Sequence, residues 1–174
     1  MLKTEEPVLF IENKLLYNLP IQGSDTLRDF EVHETANEYP NYILTIRGAP
    51  KPVLTIAAYG YMASAAREAV KRLAYEREIF CELVIPTRLA PVDVTPILAS
   101  TNRTERFLTV EEGGLSFGWG AEVAAQVAEK SNLPVKISRL GALDLPVPAS
   151  LPLENAVLPS VEDIYRAAEK IVIT

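Results

Sequence analysis

The chain has 174 residues, of which 48% are hydrophobic and 23% are charged, so we expect one globular domain rather than a disordered chain. Its net charge of −6 and the lack of a basic run argue against general binding to nucleic acids or to anionic membranes. A single cysteine, Cys81, and a single histidine, His33, exclude a disulfide scaffold, a cysteine-rich zinc site and a two-histidine metal motif.

The first 50 residues are polar and irregular, and four prolines interrupt them. Two short apolar runs, at residues 8–11 and 42–46, are predicted to be strands. The acidic stretch at residues 25–38 between them is interpreted as a linker that leaves His33 solvated. The first seven residues lack the apolar core of a signal peptide, and no run approaches the roughly 20 apolar residues of a membrane span. We therefore expect a cytoplasmic protein.

From residue 53 onward, apolar strands alternate with amphipathic helices. The predicted strands are residues 53–59, 80–85, 106–110 and 135–138, and the predicted helices are residues 62–75, 93–101 and 121–130. Asp93 is the expected N-cap of the second helix, and Cys81 is expected to be a small core residue. This alternation predicts an α/β fold with three layers, in which helices cover both faces of a mostly parallel, mixed sheet of about five strands.

Residues 143–159 contain four prolines, so the sequence predicts an extended surface segment without a helix. A final helix is predicted to begin after Ser160, where Ser160 and Asp163 have the spacing of a capping box. The expected organisation is an N-terminal arm and linker over residues 1–50, followed by one domain over residues 51–174.

A glycine-rich turn between the third strand and the third helix allows two functional interpretations. Gly114, Ser116 and Gly118 match the G-x-S-x-G nucleophile elbow, but hydrolases with this elbow place the histidine after the serine, and His33 comes before it. A hydrolase centred on Ser116 is therefore the weakest hypothesis. The N–H groups of the turn could instead bind a small anion such as phosphate, and this use would involve Gly113, Gly114, Gly118 and Gly120.

Further candidates lie at the expected carboxyl ends of the strands, where open α/β sheets bind ligands. Glu111 and Glu112 would oppose an anion in the turn, and we expect them to form a solvated strand end whose side chains point in opposite directions. Trp119 is expected to be a packing anchor or an interface residue. Gly60 and Arg88 would border a crevice or an interface.

Four segments, taken in chain order, carry a family resemblance. They are Val53-Leu54-Thr55-Ile56-Ala57-Ala58-Tyr59-Gly60, then Glu82-Leu83-Val84-Ile85 with Leu89-Ala90-Pro91-Val92-Asp93, then Val110-Glu111-Glu112-Gly113 with Gly118-Trp119-Gly120-Ala121-Glu122-Val123-Ala124, and finally Gly141-x-x-Asp144-x-Pro146-x-Pro148 with Leu153-Glu154 and Leu158-Pro159. In this order they resemble the C-terminal domain shared by transketolases and the β subunits of thiamine-diphosphate-dependent 2-oxoacid dehydrogenases, and the β-subunit form more closely. The opening of the chain, residues 6–17, resembles the last strand of the preceding, pyrimidine-binding domain of that family. We therefore expect the chain to start at the tail of a domain that it lacks.

The resemblance implies an assembly domain, for which no activity of the chain alone is expected. In the family, thiamine diphosphate and magnesium are held by other domains, and the Gly-Asp-Gly…Asn signature that binds them is missing here. No catalytic, cofactor-binding or metal-binding residue is carried over, and Arg88 is displaced by one position from the arginine of the family. The expected partners are a second copy of the chain, cofactor-binding subunits and an acyltransferase core. The alternative is a stand-alone domain that binds small anions.

Overall fold

The computed structural model describes residues 7–18 and 27–174. The buried strands predicted from residue 53 onward form its centre. In this part of the chain the strands are β1 (Phe30–Glu34), β2 (Asn41–Ile46), β3 (Leu54–Ala58), β4 (Cys81–Pro86), β5 (Arg106–Gly114) and β6 (Lys136–Ala142). The helices are α1 (Gly60–Arg77), α2 (Thr95–Thr104), α3 (Trp119–Lys130), α4 (Leu151–Val157) and α5 (Val161–Ile173), and a short 3-10 helix covers Lys14–Asn18. The α/β prediction is confirmed.

The six strands form one mixed sheet in the order β1-β2-β4-β3-β5-β6. Strands β4, β3, β5 and β6 are parallel, whereas β2 pairs antiparallel with both β4 and β1. All five residues of β3 are buried, as expected for a central strand covered on both faces.

Two apolar cores lie on opposite faces of the sheet. One is formed with α1 and α5 and includes Ile56, Leu73 and Ile164, and the other is formed with α2 and α3 and includes Phe107 and Val123. The predicted capping box is confirmed, because Ser160 and Asp163 cap α5 reciprocally. Cys81 is buried as expected, and burial raises the pKa of its thiol to about 12. None of the helices in the described ranges is long and apolar enough to span a membrane.

Part of the predicted linker is a strand, and this adds a sixth strand to the expected sheet. Residues 30–34 pair with β2 in the register Phe30↔Ile46, and the buried Phe30 ring fastens this edge strand to the core. His33 is exposed, but it lies on β1. Residues 25 and 26 of the predicted linker lie outside the described residues.

Three other local predictions need correction. Residues 8–11 are exposed and form no strand, because no other strand of the described residues lies beside them to share hydrogen bonds. Helix α4 forms within the proline-rich segment because Pro152 lies in its first turn, where a backbone N–H is not needed. Helix α2 begins at Thr95, with Val94 in the N-cap position, although Asp93 Oδ1 still accepts a hydrogen bond from Thr95 N at 3.0 Å.

Candidate functional site

The sheet has a topological switch point between β3 and β5, where the connections of the two strands leave in opposite directions. From β3 the chain crosses to β4 on one side, and it then returns through α2 to β5 on the other side. Carboxyl ends of strands at such a switch point are the usual ligand-binding place of open α/β sheets. We call the residues found there, Tyr59, Gly60, Glu111, Glu112 and Trp119, the switch-point crevice.

Glu111 is a buried carboxylate rather than a solvated strand end. It is 2% exposed, and it accepts hydrogen bonds from two N–H groups of the first turn of α3, Trp119 N at 2.9 Å and Gly120 N at 2.7 Å. The N-cap residue of α3, Gly118, has no side chain to perform this task. A carboxylate on the neighbouring strand therefore caps the helix, in the place where an external anion would bind.

The glycines of the turn leave room for this carboxylate. A Cβ atom on Gly118 would lie 2.5 Å from Glu111 Oε1 and would also collide with the carbonyl oxygen of Gly114. A Cβ on Gly113 would lie 2.7 Å from Glu111 Oε2, and one on Gly120 would collide with Thr109 Oγ1. The glycine-rich turn is thus shaped around a side chain of the protein itself. Binding of an external anion in the turn stays a prediction.

Glu112 contacts a different part of the chain from Glu111. It is partly buried, and its Oε2 accepts a hydrogen bond from Asn13 Nδ2 of the N-terminal arm at 3.1 Å. Burial raises the pKa of the Glu112 carboxyl above its ordinary value, whereas the hydrogen bond from Asn13 opposes this shift. The arm therefore contacts the crevice through a carboxylate that is harder to ionise than a surface glutamate.

Tyr59 was not identified from the sequence as a site residue, although its position at the end of a predicted strand could have indicated it. Its ring meets the Trp119 ring edge to face, with the ring centroids 5.0 Å apart. Burial, followed by the charges of Glu111 and Glu112, raises the pKa of the Tyr59 hydroxyl. Trp119 begins α3, and its indole Nε1 is buried without a hydrogen-bond partner among the described residues. The two aromatic rings thus form an apolar wall beside two carboxylates.

The arrangement around Ser116 does not resemble a hydrolase. The Ser116 hydroxyl donates to Asp144 Oδ2 at 2.6 Å, and this hydrogen bond lowers the pKa of Asp144. His33 lies on β1, and β2, β4 and β3 separate β1 from β5, which leads into the turn. The bond between Ser116 and Asp144 instead ties the turn to the chain that follows β6.

Arg88 does not join the switch-point crevice. It follows β4, and its guanidinium carbon lies 5.2 Å from the centroid of the Tyr39 ring, beside the β1–β2 hairpin. Gly60, in contrast, is the first residue of α1 and has a φ of 57°, a conformation that favours glycine. A ligand-binding or interface role for Gly60 and Arg88 stays a prediction.

The described ranges offer little that could hold a metal ion. They contain no group of three or more histidine, cysteine, aspartate or glutamate side chains suited to metal binding. What the crevice does contain is two carboxylates, two aromatic rings in edge-to-face contact and a capped helix.

Comparison with known proteins gives a consistent result. The model of the family described as "Transketolase, C-terminal domain" matches residues 45–164. The chain is 35% identical over 173 residues to the mitochondrial pyruvate dehydrogenase E1 component subunit beta of Pisum sativum, and this match covers 97% of the chain and 46% of the pea protein. A match to the corresponding protein of Dictyostelium discoideum is 31% identical and covers 98% of the chain and 46% of that relative. The chain thus spans about half the length of the curated relatives that it matches.

Two solved structures share the fold. One is described as a split gene transketolase, inactive beta4 tetramer, and it matches with a TM-score of 0.62 and 28% identity over 72% of this chain and 41% of its own. The other is a 2-oxoglutarate:ferredoxin oxidoreductase from Magnetococcus marinus, with a TM-score of 0.51 and 12% identity over 75% of this chain and 19% of its own. The second likeness concerns the fold alone.

Proposed function

The chain belongs to the transketolase C-terminal domain family, and from that premise we propose that it is a non-catalytic assembly domain of a 2-oxoacid dehydrogenase β-subunit-like protein. It would pair with a second copy of itself and dock onto the subunits that perform the oxidative decarboxylation. Docking to an acyltransferase core is a further part of the proposal and rests on the family alone. A cytoplasmic location stays a prediction.

The observation that carries the proposal is a set of exposed apolar side chains in the glycine-rich turn and in the segment that follows β6. We call this set the apolar rim, and it consists of Phe117, Leu143, Leu145, Val147, Leu151 and Leu153. Its two parts are joined, because Leu115 N donates to Ala142 O and Ser116 bonds to Asp144. Phe117 is fully exposed and has a positive φ of 57°, a rare conformation for a phenylalanine. Grouped apolar side chains on a surface are typical of an interface with another protein.

The N-terminal arm supports the same interpretation. Residues 8–11 are four consecutive apolar side chains, and all of them are exposed. Covering such a run with another surface removes apolar area from water and is therefore favourable. Because Asn13 bonds to Glu112, the arm reaches the switch-point crevice, so a partner that bound the arm would also lie near this edge of the sheet.

The described residues do not fit thiamine diphosphate and its magnesium ion. Glu111 already uses two N–H groups at the start of α3, and its negative charge would repel a diphosphate. No metal-binding group of acidic side chains accompanies it in the described part of the chain. The proposal therefore places the cofactor and the reaction on other domains.

Self-association tests the proposal through the apolar rim. We expect the chain to form a dimer or larger oligomer, and we expect the triple variant F117S/L145S/L151S to shift it to the monomer. The control is Y75S/I173S, which removes two exposed apolar side chains outside the rim. Light scattering over a concentration series gives the mass of each protein.

The variants distinguish a specific interface from nonspecific hydrophobic association. If the rim is the interface, only the triple variant loses mass, and circular dichroism shows both variants folded. A wild-type chain that stays monomeric at high concentration would refute the pairing. Equal loss of mass in both variants would show that the rim has no special role.

A further inference from the structure

Strand β1 is an open edge of the sheet. It pairs with β2, and within residues 7–18 and 27–174 no other strand lies beside it. Only Phe30 of its five residues is buried, and the Val32 side chain in the middle of the strand is 41% exposed. An edge strand with free backbone groups can pair with a strand of another chain.

The hydrogen bonds to β2 show which backbone groups of β1 are free. Arg47 N donates to Asp29 O at 2.9 Å, and Thr35 N donates to Asn41 O at 3.0 Å. Asp29 and Thr35 therefore direct their backbone groups toward β2. Because this direction alternates along an antiparallel strand, the even-numbered residues between them direct their groups away from the sheet. Val32 thus offers one N–H and one C=O to a partner.

The backbone groups of Phe30 are already engaged within the chain. Phe30 N donates to Leu27 O at 2.8 Å, and Phe30 O accepts from Arg47 Nη2 at 2.9 Å. The backbone groups that face outward and await a partner are therefore those of Val32 and Glu34.

The sequence of β1 limits how it could pair with a second copy of itself. Across a twofold axis, outward-facing groups meet when the antiparallel register is centred on Glu31, Val32 or His33. A centre on Glu31 places Glu31 opposite the same residue of the second copy, and like charges directly opposite are destabilising. A centre on His33 places two imidazoles opposite each other and leaves Glu31 without a basic counterpart.

The register centred on Val32 satisfies both the backbone and the side chains. The Val32 residues of the two copies exchange two hydrogen bonds, and each Glu31 lies opposite His33 of the other copy. These two positions form a pair without backbone hydrogen bonds between the copies, the kind in which side chains approach most closely. An imidazole always has an N–H to donate, and the Glu31 carboxylate accepts it. Symmetry makes each contact twice.

We infer that β1 pairs antiparallel with β1 of a second copy, centred on Val32, so that two sheets join into one. The exposed Glu31 and Glu34 repel acidic strands, but the second copy brings its own His33 to each Glu31. This specificity identifies a second copy as the partner.

The strength of the contact rests on the proposed pairing through the apolar rim. Two strands of five residues make a small contact that is weak by itself. A pair of copies joined through the rim presents two such edges, and two contacts made together reinforce each other. The β1 contact therefore joins rim-linked pairs into tetramers or larger assemblies.

Light scattering over a concentration series of the full chain tests the backbone part of this inference. We expect the wild type to reach a tetramer or larger and V32P to stop at the rim-linked pair, because proline lacks the N–H that Val32 donates. That N–H faces away from the sheet within one copy, so the edge strand accepts the proline. The control V32T keeps the N–H and should assemble like the wild type.

Charge variants test the side-chain part without a proline. H33E places a glutamate opposite each Glu31 and should raise the dissociation constant of the contact about tenfold or more. E31K/H33E reverses both charges and should restore assembly. The inference is overturned if either V32P or H33E keeps the wild-type mass, or if E31K/H33E assembles no better than H33E. If V32P loses mass while the rim variant F117S/L145S/L151S does not, the β1 contact stands and the rim is refuted.

Discussion

Replacing Glu111 by leucine is expected to lower the free energy of unfolding by about 3 kcal/mol or more. The leucine side chain is similar in size to that of glutamate, but it has no oxygen to accept hydrogen bonds from the Trp119 and Gly120 N–H groups. Those two donors then stay buried without partners, and each buried unsatisfied group costs about 1–3 kcal/mol. The helix also loses the negative charge that stabilises its N-terminus. Urea unfolding measures the effect, and the fluorescence of Trp119, the only tryptophan, reports on the site itself.

The neighbouring carboxylate provides the control. Glu112→Leu removes a side chain that bonds to Asn13 rather than to the helix, so its effect on stability should be far smaller. Glu111→Gln should fall between the two, because the amide keeps one acceptor and turns its N–H₂ group toward a donor. If E111L and E112L agree within about 0.5 kcal/mol, Glu111 does not act as the cap of α3.

Gly118→Ala is expected to destabilise the fold by about 3 kcal/mol, near the upper end of what overpacking normally costs. The added methyl group would lie against the carbonyl oxygen of Gly114 and 2.5 Å from Glu111 Oε1. A backbone oxygen cannot move aside as the end of a side chain can. The φ of Gly118 is −71°, which alanine adopts readily, so the penalty is steric rather than conformational. Urea unfolding at equilibrium measures this effect too.

Gly114→Ala in the same turn separates a specific clash from a general need for glycine. Its methyl group would meet Asp144 Oδ1 at 2.9 Å, the end of an exposed side chain rather than a backbone atom, and otherwise only Ser116 O at 3.8 Å. The cost should stay below about 1 kcal/mol, as for most surface substitutions. Equal losses for G114A and G118A would contradict the steric explanation.

The central part of the fold could be predicted because its strands are apolar throughout and its helices have one apolar face. Strand β1 was missed because Glu31, His33 and Glu34 outweigh Phe30 in composition, although the alternation of Phe30 and Val32 is typical of an edge strand. Helix α4 was missed because the density of prolines hid the fact that Pro152 occupies a permitted position.

The site was predicted less well than the fold, and Glu111 explains why. The two adjacent glutamates have different partners, because Glu111 bonds to the start of α3 and Glu112 bonds to Asn13. Only the tertiary structure brings the start of α3 over Glu111, and the irregular register between β5 and β6 after Val110 accompanies this contact. No local sequence pattern indicates that a carboxylate caps a helix that begins eight residues further along the chain.

The glycine-rich turn also bears on the function. A turn that binds a phosphate offers its N–H groups to a ligand, whereas this turn gives two of them to Glu111. The same turn then presents Phe117 to solvent, and the bond between Ser116 and Asp144 ties the turn to the segment that carries the exposed leucines. This arrangement supports a role in which the N–H groups of the turn stabilise the edge of the sheet and the exposed apolar side chains contact a partner.

Mixing the chain with candidate partner subunits tests the proposed assembly role most directly. The purified chain is mixed with the products of the genes that flank its own, and light scattering measures the mass of any complex, together with its 2-oxoacid decarboxylase activity. The account predicts a stable, active complex with the wild-type chain and none with the rim variant F117S/L145S/L151S. A wild-type chain that stays separate and leaves the decarboxylase activity unchanged would contradict it.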